Sequence, residues 1–315
     1  MAGLARATIL LLALALSSAG PGRAAKRPQA FTGELRLDRS DPVIEVEIGD
    51  VRMRLRVALD QKRLIELNPE AAARLSARPP DRHFRFESGF DAQVGRETLR
   101  GMQAAAPIGI NGRRMLVTVA THGRPCCAGV DGEIGLGLLP YATIRFGGSE
   151  TEALERTAIF LIEDDSERGP QARVAAGSES IFIQFSLDRP ESVATASAGA
   201  MLARLHGGRL SERGTIVAAF GVERPVSALR FPRPVSIAGF PFDELAVRTA
   251  DFGGRLGFPA DPDAPEDIVV ARKVTPQSAW PVVLIGRDRL DRCGEVLFDG
   301  NRHVLTLRCA AEAGL

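Results

Sequence analysis

Residues able to do chemistry are few in this chain and fall into two groups. Two aspartates hold matching positions, each closing an alternating apolar run, as Leu59-Asp60 and as Leu187-Asp188. An aspartate at a strand end often serves only as a turn or cap residue, so its surroundings must decide its meaning. Cysteines form the second group. Cys293 and Cys309 flank two apolar runs separated by the turn residues Asp299-Gly300-Asn301. Counting outward from that turn sets them nearly opposite each other, which predicts a disulfide. Cys126 and Cys127 are adjacent, and a vicinal bridge, a reduced pair and pairing with another chain all stay open. His83, His122, His206 and His303 are scattered, and no His/Cys spacing suits a zinc knuckle, so no metal or other cofactor is expected. Gly135-Leu136-Gly137 lacks the Lys-Ser/Thr of a phosphate loop, and no Gly-x-Ser-x-Gly elbow occurs.

The segments around the aspartates recur. Val51, Met53, Leu55, Val57 and Leu59 lie on one face of the first alternating strand; Ile181, Ile183, Phe185 and Leu187 do the same in the second. An alanine-rich helical segment follows each aspartate. The first is capped by Asn68 with Pro69 at its first position, and the second starts at Ser197 as its cap. Next come strand–turn–strand patterns, Ile108–Val119 around Asn111-Gly112 and Val235–Val247 around Ala238-Gly239. Each half then has a hydrophobic–glycine box, Ile134-Gly135 and Leu284-Ile285-Gly286, that leads into a strand, Ala142–Phe146 and Glu295–Phe298. The shared order predicts an internal duplication.

Composition narrows the classes. Among 315 residues, Lys+Arg 40 against Asp+Glu 39 leaves no block of like charge, which argues against a dedicated nucleic-acid binder. A single Trp280 and a single Tyr141 argue against stacking platforms for sugars or bases. With 32 Gly and 20 Pro the chain is rich in turns, as β structure requires. Residues 1–24 read as a signal peptide: Arg6, an apolar Thr8–Leu16 core, then small residues with Gly22 and Ala24 at cleavage-site spacing. That core is about half the roughly 20 residues that span a bilayer, and no other segment suits one, so no stable membrane insertion is expected after cleavage. The expected location is the bacterial periplasm or outside the cell. The remaining divisions are a leader over 25–42, a first lobe over 43–163, a linker over 164–179 and a second lobe over 180–315.

A strand running into Asp, a helix, a hairpin and a glycine box before the last strand resembles the lobe plan of pepsin-like and retropepsin-like aspartic proteases, over roughly 43–148 and 180–309. The resemblance implies an all-β fold with short helices: a two-lobed, aspartic-protease-like β-barrel architecture. It makes Asp60 and Asp188 the candidate catalytic pair, with each glycine box under its aspartate loop. It also places Phe84, Phe86 and Phe90 where the family's flap hairpin covers the cleft. Both motifs are altered. The family has Asp, then Thr or Ser, then Gly; this chain has Asp60-Gln61-Lys62 and Asp188-Arg189-Pro190. Aspartic proteolysis needs two carboxylates that share one proton and a water. Lys62 beside Asp60 would favour an ionised carboxylate, and Pro190 has no amide hydrogen to offer. Three readings follow: a degenerate, exported protein binding an extended peptide or protein ligand in the cleft; an active endopeptidase using Asp60, Asp188 and a water; and a non-catalytic envelope interaction protein.

Overall fold

The computed structural model describes residues 30–77, 84–95, 97–147, 156–165, 168–249 and 280–310. Residues 1–24, expected from the sequence to be a signal peptide, and His83 lie outside them. The fold is all-β with short helices, and its two sheets reveal a copied plan.

The first half runs through β1 (Glu34–Leu37), β2 (Val43–Ile48), β3 (Val51–Ala58), β4 (Leu64–Leu67) and helix α1 (Pro69–Ser76). It continues through β5 (Ser88–Val94), β6 (Glu97–Ile110), β7 (Arg113–Thr121), β8 (Gly132–Gly135) and β9 (Thr143–Gly147). After β10 (Arg156–Asp165), the second half runs β11 (Gly169–Ala176), β12 (Glu179–Phe185), β13 (Val193–Thr195), helix α2 (Ala196–His206), β14 (Arg209–Ala219) and β15 (Val222–Ile237). It ends with β16 (Phe240–Arg248), β17 (Val282–Ile285), helix α3 (Arg287–Leu290), β18 (Cys293–Asp299) and β19 (Val304–Cys309).

Seven strands of the first half lie in the order β2-β3-β8-β4-β7-β6-β5. Seven of the second lie in the order β11-β12-β17-β13-β16-β15-β14. Directions agree pair by pair. β3–β8 and β12–β17 are parallel, β4–β8 and β13–β17 antiparallel, β4–β7 and β13–β16 parallel. The pairing of β2 with β6 closes the first half into a barrel.

Where the halves join, the equivalent strands β9 and β18 pair with each other, antiparallel. Ile144 faces Phe298 and Phe146 faces Val296, with Arg145 opposite Leu297 between them. Ile144 and Val296 are equivalent in the repeat, as are Phe146 and Phe298. Reciprocal pairing of this kind is what a twofold axis imposes, so a pseudo-twofold passes between Arg145 and Leu297. All four apolar partners are buried, which fixes the register of the seam. The flanking strands β1, β19 and β10 extend this sheet.

Several local expectations hold. The Asn111-Gly112 and Ala238-Gly239 turns both have positive φ at their two residues, the geometry that suits a tight hairpin. Cys293 and Cys309 stand opposite each other across β18–β19 and form the disulfide. Others change. Helix α2 is capped by Thr195, whose hydroxyl accepts from the Ala198 amide at 3.4 Å, with Ser197 two residues further on, inside the helix. The 25–42 leader contains β1, paired in parallel with β9. The polar stretch read as a linker, 164–179, is the β10–β11–β12 meander. Its polar side chains sit on a strand: Arg173 points outward, over the Phe182 ring and beside Glu163, while buried Gln171 accepts from the Trp280 indole N–H.

Candidate functional site

Each aspartate loop rests on a glycine where no side chain fits. A Cβ on Gly135, at the end of β8, would collide with the Lys62 carbonyl and come within 2.9 Å of the Gln61 carbonyl. A Cβ on Gly286 would lie 2.6 Å from the Glu191 carbonyl and 3.0 Å from that of Arg189. Glycine at these positions therefore lets both loops sit directly on the strand ends. In the second half Ser192 locks the contact, accepting from the Gly286 amide at 3.0 Å and donating to Asp288 at 2.7 Å.

These supports bring Asp60 and Asp188 to the wall of one cavity of about 320 Å³. Both also line a smaller cavity of about 180 Å³, together with Arg56 and Arg287. Their environments differ sharply. Asp60 is half-buried, and its carboxyl is pushed above the usual range, mainly by burial. Arg189 opposes that rise, as does a hydrogen bond from Ser186, and the charge of Asp188 adds to it. Asp188 is exposed and bonded to a cation: Arg56 Nη1 lies 2.7 Å from its Oδ1. Arg56 Nη2 also donates to the Ala128 carbonyl at 3.0 Å, so the guanidinium is held from two sides. Lys62, the cation suggested by the sequence, is exposed; the interfering charge is Arg56, from β3 of the first half, and it pairs with Asp188 of the second.

A third carboxylate shares the cavity. Glu133, on β8, has its pKa raised to about 8 by burial first and then by Asp60 and Asp188, with Arg56 opposing. Cys126 lines the cavity too, and contact with Cys127 together with burial pushes its thiol up. Beneath them the buried Glu66 carboxylate and His122 Nδ1 are 2.7 Å apart.

The expected flap is only partly where the resemblance puts it. Phe84 and Phe86 meet edge to face, 5.2 Å between centroids, and pack on the main core. Phe90, on β5, packs on the His122 ring at 4.7 Å. None of the three lines the cavity; the aromatic that does is Phe220, at the turn between β14 and β15, and it covers the other side of His122 at 4.3 Å. The β5–β6 and β14–β15 hairpins meet through Val94, Leu99, Ala218 and Val222, and Arg224 pairs with Glu97 at 3.3 Å. The roof is thus shared by both halves, and the single-hairpin expectation fails because the second copy has its own long hairpin.

Arg56, Glu133 and Phe220 were missed in the sequence. Glu133 carried a signal: a charge inside the apolar Gly132–Leu139 box, on a strand with neighbours on both sides. Arg56 is one of three arginines, with Arg52 and Arg54, that alternate with the apolar face of β3. The sequence also argued against a metal, yet the fold brings Cys126, Cys127 and Glu133 together, with their ligand atoms all within 4.8 Å of one another.

No protein-family model matches the chain, and no curated protein matches it. Solved structures do match, among them EIAV protease complexed with the inhibitor HBY-793. That likeness has a TM-score of 0.22 at 13% identity and covers 30% of this chain and 81% of that one.

Proposed function

We propose that this chain is an exported, aspartic-peptidase-like protein that binds an extended peptide between its halves without hydrolysing it. The Arg56–Asp188 ion pair carries the reading. A water-activating dyad needs one carboxylate free to take a proton from water while the other stays protonated. Asp60 suits the protonated partner, because burial favours its neutral form. Asp188 does not suit the base, because the guanidinium occupies one of its oxygens.

Peptide binding needs no dyad, only an edge and pockets. Among the described residues β14 ends its sheet order with β15 as its one strand partner, and Val217, Ala218 and Ala219 of β14 line the cavity. Export rests on the features of residues 1–24, and the Cys293–Cys309 disulfide suits an oxidising compartment. Among the described residues no helix is long and apolar enough to cross a membrane.

The second reading, an acid endopeptidase, draws on the raised pKa of Asp60 beside a charged partner. A fluorescent randomised peptide library, followed by anisotropy and by mass spectrometry at acidic pH, separates the two. Saturable binding of intact peptides, retained in Asp60→Asn, supports the binding protein. Cleavage that disappears in Asp60→Asn supports the peptidase.

A further inference from the structure

Apart from the aspartates, the first half assembles a set of metal-binding atoms. Cys126 Sγ and Cys127 Sγ are 2.9 Å apart, and a Glu133 carboxylate oxygen completes a group within 4.8 Å. The two thiols sit in a loop fixed by one side chain. Asn68 Oδ1 accepts the Cys126 amide at 2.8 Å, while its Nδ2 donates to the carbonyls of Cys127 and Val130, each at 2.8 Å. Asn68 makes no cap bond to helix α1, because it is committed to this loop. Glu133 is held on β8 between β3 and β4. The ligand atoms thus come from a pinned loop and a central strand, as a preorganised site requires.

We propose that Cys126, Cys127 and Glu133 bind a thiophilic divalent cation of the zinc class, with its fourth position open to the cavity. Two sulfurs select a soft or borderline cation over magnesium or calcium, which take oxygen ligands. Zinc–sulfur bonds of about 2.3 Å in a tetrahedron set the sulfurs about 3.8 Å apart. The pair need therefore open by less than about an ångström. The thiol of Cys126 now lies 3.4 Å from Asn68 Oδ1 and 3.7 Å from the Glu66 carbonyl. On binding, each thiol and the Glu133 carboxyl release their protons to solvent, two sulfur–metal bonds and one oxygen–metal bond form as the ion gives up bound waters, and no electron is transferred. Cys126 and Glu133 both line the cavity, so the ion can enter from it, and a water there completes the tetrahedron.

The test uses cobalt(II) and then zinc(II) on the full mature chain, kept under a phosphine reductant, and read without any peptide. One cobalt per chain should give a near-ultraviolet sulfur-to-metal charge-transfer band, and zinc should abolish it. Cys126→Ser and Cys127→Ser should each lose the band, and Glu133→Gln, which leaves the sulfurs in place, should weaken binding at least tenfold. Zinc should also protect two thiols per chain from alkylation. Far-ultraviolet circular dichroism identifies any variant that fails to fold, and the alkylation arm needs no variant. The proposal is overturned by absence of the band, by a band kept in both serine variants, by alkylation indifferent to zinc, or by a Cys126–Cys127 disulfide in the purified chain that still binds no metal once reduced. None of these outcomes bears on peptide binding, which is read separately.

Discussion

Arg56 of the first half donates to Asp188 of the second across the seam, at 2.7 Å. The two residues belong to opposite copies of one plan, so the ion pair breaks the symmetry at the place where a shared-proton pair would need it. One aspartate is left half-buried with a raised pKa, and the other is bound to a cation.

Removing that cation should cost little stability. Asp188 is half-exposed, and pairs of this kind contribute about 0–1 kcal/mol. Arg56→Leu is expected to lower unfolding free energy by no more than about 1 kcal/mol in urea titrations. A loss several times larger would mean that the guanidinium has a structural role beyond the pair.

Asp60 makes stability fall with rising pH. Its folded pKa is raised above the unfolded value, so the protonated folded form is favoured below that value, and the advantage is lost as pH rises through the folded pKa. At neutral pH the folded chain must hold an ionised, desolvated carboxylate. Asp60→Asn should therefore stabilise the protein at neutral pH, and the difference should shrink as pH falls below the ordinary carboxylate range. Urea titrations at neutral and at acidic pH check this; a destabilised asparagine variant at neutral pH would contradict it.

The glycine boxes should tolerate no side chain. At Gly135 and Gly286 an added Cβ meets backbone carbonyls, which cannot swing aside as a side-chain tip can. Gly135→Ala and Gly286→Ala should each cost about 3 kcal/mol or prevent folding, at the upper end of overpacking penalties. Gly109, where an added Cβ meets nothing within 4 Å, serves as the control, and Gly109→Ala should cost far less.

The disulfide closes a short loop. Cys293 and Cys309 are separated by 16 residues, and for such a loop the chain-entropy account gives about 3 kcal/mol. The double serine variant should unfold at correspondingly lower urea. An unchanged midpoint would show that hairpin pairing alone holds β18 to β19.

What the sequence disclosed was local or repeated. The period-2 patterns of β3 and β12 located the aspartates, and the order of features revealed the copy that β9 and β18 complete by pairing. Polarity misled at 164–179, because a strand with one face in solvent carries charges as a linker does. Arg56 and Asp188 lie 132 residues apart, and no local pattern could join them. Phe220 is hidden similarly: the expected flap residues all lie in the first half, whereas the roof of the cavity is built by both.

The most direct test of the central claim is mass spectrometry of a randomised peptide library incubated with the protein at acidic pH, alongside Asp60→Asn. The account predicts peptides retained by both proteins and recovered uncut. Products released by the native chain and absent with the variant would contradict it.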